Sequence, residues 1–160
     1  MLFDTIISHG IDPQQRPNVV IEIDWDQCHL RALRARLDDN TPVGILLPLG
    51  QGLSPDALLR DSTTGILARV RLRPTAILVT ANLSPGLSAH LCLELGNLHL
   101  PAEVRQDRII VNDTETNRSL LTRMNVKFEA SVDVFIPERT TMLQAVSISP
   151  DFTVRRERVV

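Results

Sequence analysis

Thr75-Ala76-Ile77-Leu78-Val79, then Ser84-Pro85-Gly86-Leu87-Ser88-Ala89-His90-Leu91-Cys92-Leu93-Glu94-Leu95-Gly96-Asn97, is the stretch on which the fold turns. Its first part is a near-continuous apolar run and predicts a buried strand. Ser84 suits a helix N-cap, and Pro85 is tolerated at the first helical position. Gly96-Asn97 supplies residues that accept the left-handed conformation at a helix end. Between these signals Leu87, Leu91 and Leu95 recur at i, i+4 spacing, and Ala89, Cys92 and Leu93 fill much of the remaining circumference. Only His90 and Glu94 form a clear polar strip. A helix apolar around most of its girth is expected to be covered twice, by its own sheet and by something else.

Downstream, a short strand is expected around Ala102–Val104 and another over Arg108–Val111. Asp113 or Thr114 can cap a second helix carrying Leu120, Leu121 and Met124. Val126, Phe128, Ala130, Val132 and Val134 then alternate with Lys127, Glu129, Ser131 and Asp133, the cleanest period-2 stretch in the chain. Residues 75–138 thus read β-α-β-β-α-β, the order of a ferredoxin-like domain. Residues 139–160, ending in Arg155-Arg156-Glu157-Arg158, are expected to be a flexible C-terminal tail.

Upstream the signals are those of β-structure. Val19–Ile23 is β-branched. Arg34–Leu37 and Val43–Leu47 flank Asp38-Asp39-Asn40, residue types that suit a hairpin turn. Ala57-Leu58-Leu59 follows the Gly50, Gly52 and Pro55 loop, and Ile66–Leu72 alternates apolar with basic residues. Residues 1–74 are therefore expected to form a small all-β N-terminal domain, and the whole chain to be α+β.

Composition narrows the function classes. Aromatic residues make up 3% of the chain, with one Trp and no Tyr, which leaves few platforms for stacking bases. The formal net charge is −2, and the arginines look scattered along the sequence, which argues against nucleic-acid and membrane partners. No apolar run reaches bilayer length, and Met1–Thr5 lacks a secretory pattern. Two lone cysteines make no disulfide framework. A cytoplasmic location is the expectation.

Catalytic motifs are scarce. The four histidines and two cysteines make no CxxC or HExxH pattern, and neither a phosphate loop nor a GxSxG elbow is present. No catalytic residue is assigned and no enzyme is expected. Asp38-Asp39 is most simply a turn. Cys28-His29 lies in sequence that alternates like a strand, which would point the two side chains to opposite faces. Cys92, among leucines, reads as a small buried hydrophobe. His90 and Glu94, at i, i+4, either share a metal ion or form a solvated strip. His99 lies past a helix terminus and before Pro101, in a turn able to project its imidazole outward; on the residues alone it is either a ligand or, more often for a lone histidine, structural.

Leu95-Gly96-Asn97-Leu98-His99-Leu100-Pro101 resembles the LGNRHxP segment of the urease accessory proteins called UreE. Leu33–Asp39 with Val43–Pro48 and Gly50 resembles the family's RARLDDGxxVGLLLPRG pattern, Asp56–Leu59 its GDVL, and Phe135-Ile136-Pro137-Glu138 its FxPE. The ordered set runs from about Ile21 to Glu138. The resemblance implies a β-rich N-terminal domain, likened to a peptide-binding domain of co-chaperones, and a ferredoxin-like metal-binding domain. It also implies a homodimer formed through the second domain, with His99 as the nickel ligand that each protomer contributes. The implied role is a nickel metallochaperone carrying Ni(II) as cargo to the urease apoprotein, in complex with an accessory GTPase. Leu98 and Leu49 stand where the family has Arg, and Glu94 where many members have His. Asp113 fits the family's acidic position, but the tail has no histidine, so storage of several ions is not expected. A divergent interaction module of the same fold, with little metal affinity, is the alternative.

Overall fold

The protein is described from a computed structural model, in which residues 1–10 and 16–138 are defined; the expected tail, 139–160, lies outside the described residues. The chain divides between Leu72 and Arg73 into two compact units. It is an α+β protein, rich in sheet, with two α-helices among the described residues. Neither helix is long and apolar enough to cross a membrane.

The first unit holds β1 (Leu2–Phe3), β2 (Thr5–Ser8), β3 (Val19–Ile23), β4 (Ala32–Leu37), β5 (Pro42–Leu46), β6 (Leu58–Arg60) and β7 (Leu67–Leu72). They form one sheet in the order β1-β5-β4-β3-β7-β6-β2. The pairs β1–β5 and β3–β7 are parallel and the rest antiparallel. Only Asp4 separates β1 from β2, the strands at the two ends of that order, so the sheet must curl until its edges approach each other. Asp61 holds this closure: its buried carboxylate accepts the N–H groups of Leu2, Thr63 and Thr64. Phe3, Ile21, Ile23, Leu33, Ile45 and Leu59 fill the interior.

The expected β4–β5 hairpin forms. Asn40 takes a φ of 69°, and Asp39 Oδ1 accepts the Thr41 N–H at 2.9 Å, the turn role read for Asp38-Asp39. The reading of Cys28-His29 needs correction, because Trp25–His29 is a short 3₁₀ helix rather than a strand. Local hydrogen bonding decides this. Gln27 Oε1 accepts the Asp24 N–H at 2.9 Å, a capping arrangement that overrides the apolar alternation.

The second unit runs β8 (Thr75–Thr80), α1 (Pro85–Asn97), β9 (Ala102–Val104), β10 (Ile109–Asn112), α2 (Glu115–Arg123) and β11 (Phe128–Asp133). Its sheet order is β11-β8-β10-β9, antiparallel throughout. Register puts Leu78 on the same face as Val111 and Ala130. Toward the middle of that face Leu78, Ile109 and Val111 pack with Leu91 and Leu95 of α1 and Leu120 and Leu121 of α2. The caps are those the sequence signals: Ser84 Oγ accepts the Leu87 N–H, and Thr114 Oγ1 accepts the Asn117 N–H.

One strand is more open than its pattern suggests, and one expectation is modified. β11 has the alternation of a half-buried strand, but all its residues after Phe128 are exposed, Val132 at 70%. Among the described residues it is an edge strand that pairs only with β8, and period 2 reports backbone geometry rather than cover. On α1, the described residues bury Leu91 and Leu95 but leave Leu93 60% exposed, so they do not supply the second cover.

After β11 the chain crosses the face opposite the helices. The Ile136 N–H donates to Glu103 Oε2 and the Glu138 N–H to the Ala102 carbonyl, both on β9 at the far edge of the sheet. Glu103 is paired in register with Ile110, hence on that opposite face, and Arg105 also donates to its carboxylate. Phe135, within the crossing, is fully buried.

Candidate metal-binding surface

The C-terminus of α1 presents the principal candidate. The Leu100 N–H donates to the Leu95 carbonyl at 2.9 Å, and the His99 N–H to that of Gly96 at 3.1 Å. Together these make a Schellman motif, in which the residue after the C-cap must be left-handed. The C-cap is Leu98 and the left-handed residue is His99, with a φ of 53°. This refines the sequence reading, since Gly96 and Asn97 both lie inside the helix. Leu100 packs against the core that contains Leu95, completing the motif, while His99 itself is exposed. A side chain at such a φ costs about 1–2 kcal/mol relative to glycine, so a histidine here is a strained choice. Strain of this kind points from geometry toward function.

His90 and Glu94 do meet. His90 Nε2 lies 3.8 Å from Glu94 Oε1 on the exposed side of α1. Their third neighbour carries no sequence signal: Arg123, at the end of α2, brings a guanidinium nitrogen 4.0 Å from Glu94 Oε2. Leu87, His90, Glu94, Arg123 and Met124 line one shallow groove. A cation entering it would compete with Arg123 for the Glu94 carboxylate. Residues 29 positions apart share no periodic signal, and only the packing of α1 beside α2 brings them together.

Asp113 is held by both its oxygens: Arg118 Nε and Nη2 each donate at 2.6 Å. That hydrogen bond, offset in part by burial, keeps the Asp113 carboxyl below the usual aspartate range. Arg118 in turn lies 5.8 Å from the centre of the Phe128 ring, a cation–π contact. Cys28 is half-buried and His29 exposed at the end of the 3₁₀ helix. Cys92 is a free thiol packed against the second core. His9 faces Ser54, with Nδ1 and Oγ 3.2 Å apart. Among the described residues no three histidine, cysteine, aspartate or glutamate side chains converge on one point.

Comparison with known proteins identifies the lineage. Residues 75–148 match the family model for the C-terminal domain of the UreE urease accessory protein. The urease accessory protein UreE of Halalkalibacterium halodurans is 32% identical over 111 residues, covering 68% of this chain and 72% of the relative. That of Lysinibacillus sphaericus is 29% identical over 130 residues, covering 78% and 84%. One from Pseudomonas putida is 26% identical over 133 residues, covering 83% of each chain. On this similarity the chain belongs to the UreE family of urease accessory proteins, and it is an accessory protein rather than an enzyme.

Proposed function

We propose that this chain carries Ni(II) as cargo and releases it during assembly of the urease metallocentre, working as a homodimer in which the two His99 imidazoles meet one shared ion. The observation that carries this reading is an exposed histidine at a helix end whose backbone favours glycine or asparagine. Family membership supplies the context. Imidazole is a good donor for Ni(II), and two imidazoles leave coordination positions for water or incoming ligands. Such a site can hold an ion and pass it on by ligand exchange.

The proposal extends to organisation and partners. Residues 1–74 serve as a β-rich domain of peptide-binding type and residues 75–138 as a ferredoxin-like metal-binding domain. The element order and the strand order β11-β8-β10-β9 support the second assignment. The partners in this reading are the accessory GTPase and the urease apoprotein, in the cytoplasm.

Calorimetric titration with Ni(II) tests the proposal on the full chain and on His99→Asn, which keeps a residue comfortable at positive φ. The expectation is about one ion per dimer and at least about a hundredfold loss of affinity in the variant, with affinity falling on acidification because imidazole binds metals deprotonated. Equal affinity in the variant, or several tight ions per dimer, would defeat the shared-site reading. A second reading, an interaction module with little metal affinity, draws on Leu49 and Leu98, which are 81% and 47% exposed where the family has arginine. Absence of measurable nickel binding by the unmodified chain would favour it.

A further inference from the structure

The arginines that look scattered in sequence are gathered by strand register in the first unit. Glu22 on β3 is paired with Arg36 on β4 and with Arg71 on β7, so all three share one face. Arg34 and Arg69 lie two residues from Arg36 and Arg71 on their own strands and therefore join that face. It is the outer face, since the intervening Leu33, Leu37, Ala68, Val70 and Leu72 are buried inside. Arg34, Arg36 and Arg71 are exposed and Arg69 is half-buried. Glu22 lies within the patch and Asp24 follows it on the chain, leaving four guanidinium groups against two carboxylates. A protein of net charge −2 therefore carries a locally cationic sheet face.

We propose that the outer face of β4, β3 and β7 docks an extended, acidic segment of a partner protein. The spacing fits such a segment. Arginines at i and i+2 on a strand stand roughly 7 Å apart, the same repeat at which an extended peptide presents side chains on one side. Arg36 and Arg71, two strands apart, are separated by roughly 10 Å, wide enough to flank a single peptide chain. Guanidinium forks match carboxylates in shape as well as charge. An apolar anchor point adjoins the patch. Gly44 is paired with both Arg34 and Leu2, and Leu2 is 41% exposed beside the shallow depression lined by Arg34, Pro42, Val43 and Gly44. A protein segment can use that depression. A single-stranded nucleic acid would need stacking surfaces, and no aromatic residue lies on these three strands.

Fluorescence anisotropy on the full chain tests this surface with a labelled twelve-residue peptide alternating Glu and Thr. The comparison probes are its Gln-for-Glu counterpart and oligothymidylate of the same length. The expected result is binding of the Glu peptide only, weakening as salt is added. The Arg36→Glu/Arg71→Glu pair should weaken it by about tenfold or more, and Arg36→Gln/Arg71→Gln by less. Lys127→Glu, on the second unit, should leave it unchanged. The neutral Gln pair keeps the test decisive should the Glu pair fail to fold. No binding of the Glu peptide, equal binding of the Gln peptide, or indifference to both arginine pairs would overturn the proposal. Tighter binding of oligothymidylate through the same arginines would also overturn it, in favour of a nucleic-acid surface.

Discussion

Helices α1 and α2 end in the same way, with different residues at the position that matters. In α2 the Val126 N–H donates to the Leu121 carbonyl and the Asn125 N–H to that of Thr122, and Asn125 has a φ of 55°. In α1 the corresponding bonds are Leu100 to Leu95 and His99 to Gly96, and His99 has a φ of 53°. Asparagine tolerates this conformation because its short amide can hydrogen-bond locally, whereas the imidazole ring gains less from it. The fold thus sets one demand twice and the sequence meets it well once. At α1 the histidine gives up some local stability, which is understandable if the imidazole is needed at that exposed corner.

Four sets of variants can break or sharpen this comparison. The largest effects are expected at Leu95 and Leu121, the residues whose carbonyls close each motif and whose side chains are buried. Replacement of either by alanine should cost about 2–5 kcal/mol through lost burial and the cavity left behind. Denaturant unfolding would measure it, and a cost below about 1 kcal/mol at one site only would show that the two helix ends are not equivalently packed.

The next effects concern the opposite ends. Thr114→Ala should cost about 1 kcal/mol by removing the N-cap, and Ser84→Ala somewhat less. The reason is geometric: the Thr114 bond is 3.2 Å and the Ser84 bond 3.4 Å, at the limit of a hydrogen bond. The reverse ranking in thermal melts would mean that Pro85, next to Ser84, does less of the initiation at α1 than its fixed φ suggests.

The C-terminal exchange is smaller and of opposite sign. His99→Gly should stabilise the protein by up to about 1 kcal/mol, because it relieves the positive φ, although glycine also gains entropy in the unfolded chain. Asn125→Gly should change stability by only a few tenths, roughly, for the same reasons. A protein that becomes more stable as it loses nickel affinity would separate the role of His99 from any structural one. If His99→Gly instead destabilised, the ring would be making contacts that support the fold.

The smallest effect is a difference in acid response. α2 is preceded by Asp113, held below the usual aspartate range by its hydrogen bond from Arg118, whereas α1 has no acidic residue in its first turn. A depressed carboxyl contributes stability above the unfolded aspartate value of about 3.9 and loses it as pH falls through the lower folded value. Amide hydrogen exchange followed down through that range should show the first turn of α2 loosening before that of α1. Asp113→Asn should abolish the difference, and its persistence would sink the assignment to this pair.

Most of the local structure was legible from the residues, because caps, turns and periodicity act over a few positions. Ser84-Pro85 and Thr114 start the helices as expected, and Asp39-Asn40 turns the hairpin. Legibility failed where two short-range signals competed. Around Cys28-His29 the apolar alternation suggested a strand, yet the Asp24–Gln27 capping bonds won. At β11 the alternation correctly marked a strand, and its exposure was a matter the pattern did not address.

By itself, then, the sequence determined the type and order of the elements from β8 to β11 and put a histidine just beyond the end of α1, since these depend on neighbours along the chain. Tertiary structure alone decided which surfaces those elements show. Packing of α1 beside α2 brings Arg123 to Glu94, and register across β4, β3 and β7 assembles the arginine face from three separate segments. Both are long-range pairings. Residue patterns carry the period of each element but not the identity of its neighbour, so such contacts become visible only once the chain has folded.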